Sequence, residues 1–104
     1  GMIPAAGGTQ TIPRYLGVGR AMDILLTSRR IGALEALDMG LVNRVVPRGT
    51  LPSEVEWIAR QLASLNWSAL RAAKRVIWHG IDLPMYSALE LEVRLSSQVM
   101  DQSP

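Results

Sequence analysis

The sequence holds no cysteine, one histidine and one lysine. Without cysteine there is no disulfide framework and no thiolate metal site, which suits a reducing compartment. With His79 as the sole imidazole there is no metal-ligand spacing and no Ser–His–Asp set. No apolar run approaches the roughly 18 residues of a membrane span. No basic leader precedes an apolar stretch, so neither a transmembrane helix nor a signal peptide is expected.

What remains is one small domain's worth of chain. Of its 104 residues, 48% are hydrophobic and 19% charged, a globular rather than a disordered balance. The net charge of +2 rests almost wholly on arginine and is uneven. Residues 1–50 carry +3 and residues 51–104 carry −1. Arginine forks bind phosphates bidentately, so RNA binding through the first half is one reading. An ordinary solvated surface is the other, and the spread of the arginines favours it, so no nucleic-acid partner is expected.

The first seventeen residues contain four glycines and two prolines but no acid, cysteine or histidine. Such a stretch cannot transfer a proton. It offers backbone N–H groups ahead of a helix, which can receive an anion or a polarised oxygen. A plain loop-to-helix turn fits the same residues.

Local signals then predict a mostly helical chain. Thr9 suits the N-cap of a first short helix through Leu16, although Pro13 limits it to about one regular turn after Gln10. Gly17 suits a left-handed end to it. A helix over 18–27 follows, with Ala21, Met22, Leu25 and Leu26 inward, then a short helix over 33–39 starting at the weak cap Gly32 and closed by Gly40. Residues 41–46, rich in β-branched side chains and ended by Pro47, read as the one strand. Residues 48–50 read as a turn. A helix over 51–65 carries an apolar stripe of Val55, Ile58, Ala59, Leu62 and Leu65. The next spans 69–78, capped by Ser68, with Leu70, Ala73, Val76 and Ile77 inward and His79-Gly80 at its end. The last spans 85–100, with Asp82 or Leu83 as cap and Pro84 in the tolerated first turn. It has one face of Ala88, Leu91, Leu95 and Val99 and another of Leu89, Val93 and Met100. A helix apolar on two faces needs two partners. We therefore expect burial against another subunit or further chain. Trp57, Trp67 and Trp78 read as core or interface anchors.

Catalytic pairs are wanting. Glu54 and Glu56, like Glu90 and Glu92, are two apart and point to different helix faces. His79 reads as a helix-end partner. The residues alone thus contain no self-contained catalytic set and no metal site.

In their order and spacing, the residues do resemble a family. Ile3-Pro4-Ala5-Ala6-Gly7-Gly8-Thr9-Gln10, Ile12-Pro13-Arg14-Tyr15-Leu16-Gly17, Leu25-Leu26-Thr27-Ser28-Arg29-Arg30-Ile31, Gly40-Leu41-Val42-Asn43-Arg44-Val45-Val46-Pro47 and Ala72-Ala73-Lys74 are similar to the enoyl-CoA hydratase/isomerase (crotonase) superfamily. The resemblance implies the C-terminal portion of a crotonase-type chain. Residues 1–50 would end an α/β core built as a ββα spiral. Residues 51–104 would form a helical oligomerisation region of a homotrimer or hexamer, with a last helix beyond Pro104. It implies an acyl-CoA thioester as substrate, no separate cofactor, and most simply hydration of a 2-enoyl-CoA. Two backbone N–H groups would hold the thioester oxygen. These, and the two hydratase glutamates, belong upstream of Gly1. So no catalytic residue is carried onto this chain, which alone is expected to be inactive. What is carried over is the wall of the acyl pocket: Ile3, Pro4 and Ala5, with Ala6, Gly7 and Gly8 as closely approaching backbone. A non-catalytic relative or oligomerisation module is the alternative. The implied location is the cytoplasm, or the mitochondrial matrix in a eukaryote.

The sequence also departs from the family. Ala5 stands where hydratases commonly have glycine, and relatives with other chemistries place an aspartate at or beside Ala5–Ala6. Trp67 replaces a small residue or proline, and Gly32 the usual Ser or Thr cap. The abrupt start and the end at Gln102-Ser103-Pro104 read as those of a piece of a longer protein.

Overall fold

The computed structural model describes residues 2–102; Gly1 of the opening stretch and the terminal Ser103-Pro104 lie outside them. Among the described residues there are helices and no strand. The elements are α1 (Gly8–Leu16), α2 (Val18–Thr27), α3 (Ala33–Asp38), α4 (Leu51–Ala63), α5 (Trp67–Gly80) and α6 (Met85–Asp101). They fall into two compact units, residues 1–51 and 52–104.

In the first unit α1 packs on α2. The expected cap at Thr9 is displaced. Gly7 takes that place at φ 93°, a left-handed turn that side chains rarely adopt. Its carbonyl accepts from the Gln10 N–H at 3.0 Å, the Thr11 N–H at 2.9 Å and the Thr11 hydroxyl at 3.0 Å. The helix therefore starts two residues early and ends at Leu16 as expected, staying regular across Pro13. The Gly17 N–H closes it on the Pro13 carbonyl at 2.8 Å, and Gly17 has the expected positive φ but an extended ψ. The bounds of α2 are as expected, but its inward pair is Ala21 and Ile24. Met22 is exposed and Leu26 is 78% exposed, because only one narrow side of α2 meets protein.

The strand expected over 41–46 is absent. A ladder needs a second strand to take its N–H groups. Here Gly40 turns back at φ 83°, and the Leu41 and Val42 N–H groups bond to the Ala36 carbonyl at the end of α3. The turn before α4 forms as expected, with the Thr50 hydroxyl donating to the Pro47 carbonyl at 2.6 Å.

In the second unit α5 packs on α6. Asn66, not Ser68, caps α5: its side-chain oxygen accepts from the Ala69 N–H at 3.0 Å, so the helix begins at Trp67. Pro84, not Asp82 or Leu83, holds the cap position of α6 and accepts from the Ala88 N–H at 2.9 Å. The two faces of α6 separate as expected. Leu95 is 7% exposed and Ala88, Leu91 and Val99 are half-buried, whereas Leu89, Val93 and Met100 are exposed. The expected inward set of α5 is only partly so: Leu70 and Val76 are half-buried, while Ala73 and Ile77 face out. α4 ends at Ala63, two residues short of the expected 65, and its stripe stays largely open: Val55 and Leu62 are exposed, as is Leu65 in the turn beyond.

Two outcomes follow. Leu95→Ala removes the best-buried side chain of the α5–α6 pair and should cost roughly 2–3 kcal/mol in urea unfolding followed by helicity; Val93→Ala, on the outer face, should cost about 0.5 kcal/mol or less. Gly7→Ala forces a side chain into the left-handed turn at a cost of roughly 1 kcal/mol, read as about fivefold faster amide exchange in α1.

Candidate functional site

The candidate wall is built around the start of α1. The chain turns through Ala5, Ala6 and Gly7 and enters the helix at Gly8. A side chain on Gly8 would place its Cβ 3.3 Å from the Cβ of Pro4, tighter than ordinary contact. Glycine here lets the Pro4 ring lie against the first helical residue. Pro4 and Gly8 are accordingly half-buried, while Ala5 and Ala6 are exposed and Ile3 is 77% exposed. The structure thus brings Pro4 and Gly8 together and leaves Ile3 projecting as an open apolar surface.

The first N–H groups of a helix have no partner within it. At α1 these include Gly8 and Thr9, and the first turn holds no acid to compete for them. The positive end of the helix dipole adds to their pull on an electron-rich oxygen. The chemistry available is polarisation and shape, without proton transfer.

One polar cluster went unread in the sequence. Arg29, in the connector after α2, reaches Asp23 on α2 at 3.1 Å and Glu35 on α3 at 2.7 Å. These bonds, to Glu35 first and Asp23 next, push the Arg29 guanidinium further above its already high range. It stays charged and clips α3 to α2. The i, i+6 spacing from Asp23 to Arg29 matches no helix-surface rule, because Ser28 breaks the helix at φ 55°.

Apolar hollows lie elsewhere, one of them, of about 440 Å³, between α5 and α6 beside Val76, Val99 and Met100. Two more are larger. One, of about 570 Å³, is bounded by Ala33 and Ala36 of α3 and by Val42, Val45 and Pro47 of the segment after it. The other, of about 810 Å³, lies between α4 and α5 and is walled by Leu62, Leu70, Ile77, Trp67 and Trp78. Trp57, Trp67 and Trp78 are all exposed, so none is a core anchor within this chain. Among the described residues no group of three or more His, Asp or Glu could hold a metal ion, and no helix is long and apolar enough to cross a membrane.

Known proteins share both this sequence and this arrangement. A crystal structure of an enoyl-CoA hydratase from Bacillus anthracis superposes with a TM-score of 0.94 at 41% identity, covering 98% of this chain and 40% of that one. An enoyl-CoA isomerase/hydratase of Mycosarcoma maydis is 38% identical over 92 residues, 88% of this chain and 34% of that protein. A probable enoyl-CoA hydratase 2 of Arabidopsis thaliana, described as mitochondrial, is 37% identical over 91 residues, 88% of this chain and 30% of its own length. The chain therefore spans about a third to two fifths of the relatives it matches. The helical part seen here is common to the crotonase fold of its structural neighbours. The family model for enoyl-CoA hydratase/isomerase matches residues 1–104, so the chain belongs to the enoyl-CoA hydratase/isomerase family.

Proposed function

We propose that this chain is the C-terminal portion of an acyl-CoA-binding enzyme and supplies one wall of its acyl pocket. The observation that carries this reading is the opening turn. Pro4 packs on Gly8, Gly7 is locked at positive φ, and the small residues Ala5 and Ala6 let a ligand approach the backbone closely. In this reading Ile3, Pro4 and Ala5 line the acyl group, with Ala6, Gly7 and Gly8 as backbone. The reaction is most simply hydration of a 2-enoyl thioester. Its acids and oxyanion donors come from chain preceding residue 1, and coenzyme A arrives with the substrate rather than as a resident cofactor. The absence of an aspartate at Ala5 and Ala6 counts against dienoyl isomerisation or dehalogenation run from this loop. The cytoplasm, or the mitochondrial matrix in a eukaryote, is where such a substrate pool would be met.

The second unit, in this reading, is an oligomerisation region. The exposed outer face of α6 and the α4–α5 hollow support it, since apolar patches of this extent mark association surfaces. A homotrimer or a hexamer built from trimers is the assembly we infer.

The 104-residue chain alone should show no turnover of crotonyl-CoA, followed by loss of the enoyl-thioester absorbance. A longer polypeptide carrying an acidic residue shortly before residue 1 should show it, and replacing that acid by its amide should remove it. Turnover by the 104 residues would sink the pocket-wall reading; a longer polypeptide without turnover favours the non-catalytic alternative. In light scattering coupled to size exclusion, the chain should run as an oligomer or self-associate with concentration. A stable soluble monomer would refute the role given to α6.

A further inference from the structure

The α5–α6 pair is in close contact at its loop end, where Gly80 faces Ala88. Toward the other end a cleft of about 240 Å³ with a polar rim lies between the two helices. Ser68, Arg71 and Arg75 line it from α5, and Gln98 and Gln102 from the end of α6, above a floor that includes the buried Leu95. No acidic residue lines it.

Its charges are not balanced from within. Arg29 and Arg60 each lie against carboxylates. Arg75 has no hydrogen-bond or ion-pair partner among the described residues, and Arg71 has only the face of Trp67, 5.9 Å from the ring centroid. Like charges at i and i+4 repel, so leaving this pair bare opposes the helix that carries it. An oxyanion between them removes the repulsion and gains charge-assisted, fork-shaped hydrogen bonds. The side-chain amides of Gln98 and Gln102 are also without partners among the described residues, as is the Ser68 hydroxyl. All three can donate. The space is enough for one phosphate or one short carboxylate.

We propose that this cleft is an oxyanion-binding site, taking a single phosphate or carboxylate group on Arg71 and Arg75 with Gln98, Gln102 and Ser68 as neutral donors. It does not rest on the acyl-CoA reading, and either can fail without the other.

The test is a titration of the 104-residue chain with inorganic phosphate and, separately, with acetate, at ionic strength held constant with chloride and read by backbone and side-chain amide resonances. Saturable shifts confined to residues 68–75 and to the Gln98 and Gln102 side chains are expected. Tighter phosphate binding marks a phosphoryl ligand, and equal or tighter acetate binding a carboxylate. Arg75→Gln should weaken binding about tenfold, the value of one charge-assisted bond. Arg75→Lys, which keeps the charge and loses the fork, should fall between. Arg30→Gln makes the same change of charge outside the cleft and should leave binding unaltered. Arg71 and Arg75 are exposed, so these changes should leave helicity intact, checked by circular dichroism. Shifts that spread over the chain or fail to saturate overturn the proposal, as does an equal loss on Arg30→Gln.

Discussion

The second unit depends on how closely α5 and α6 approach. At their loop end a Cβ on Gly80 would already lie 3.6 Å from the Ala88 Cβ, an ordinary contact with no room for a larger side chain. That approach turns the Leu95 face of α6 onto α5. Everything else about α6 follows from this use of one face. Leu89, Val93 and Met100 sit on the other side and gain nothing from the fold of this chain. Toward the far end of the pair a cleft with a polar rim lies between the two helices.

The balance of burial points the same way. The hydrophobic side chains buried among the described residues are Ala21, Ile24, Ala36 and Leu95. Three tryptophans and most of the large aliphatic side chains of α4, α5 and α6 remain open. Apolar surface left open to this extent on α4 and α5 is of the kind that marks association surfaces.

Much of this was legible in the residues, for identifiable reasons. Helix bounds such as 18–27 and the two faces of α6 follow from local spacing, which survives whatever packs against it. The failures share one cause. Val42, Val45 and Val46 have the side chains of a strand, but a strand is a property of a pair, and Gly40 commits the neighbouring N–H groups to the end of α3. Met22 and Leu26 read as inward because the helical stripe is wider than the surface α1 covers. The Arg29 clip was hidden because it spans a helix break. The caps at Gly7 and Asn66 displaced the expected Thr9 and Ser68 by two positions each, since a positive φ and a side chain already in reach decide the start before hydroxyl preference does.

The same reasoning sharpens what the opening loop contributes. Its glycines do separate work: Gly7 supplies a conformation, and Gly8 supplies room for Pro4. Neither brings a titratable group, and none lies nearby in the first turn of α1. A site that must move a proton needs an acid whose pKa is set by its surroundings. A site that must hold a thioester close to backbone donors needs small, rigid, neutral residues instead. The loop meets the second requirement and not the first. Its fixed turn, braced by three hydrogen bonds to one carbonyl, is the kind of backbone the proposed pocket wall requires.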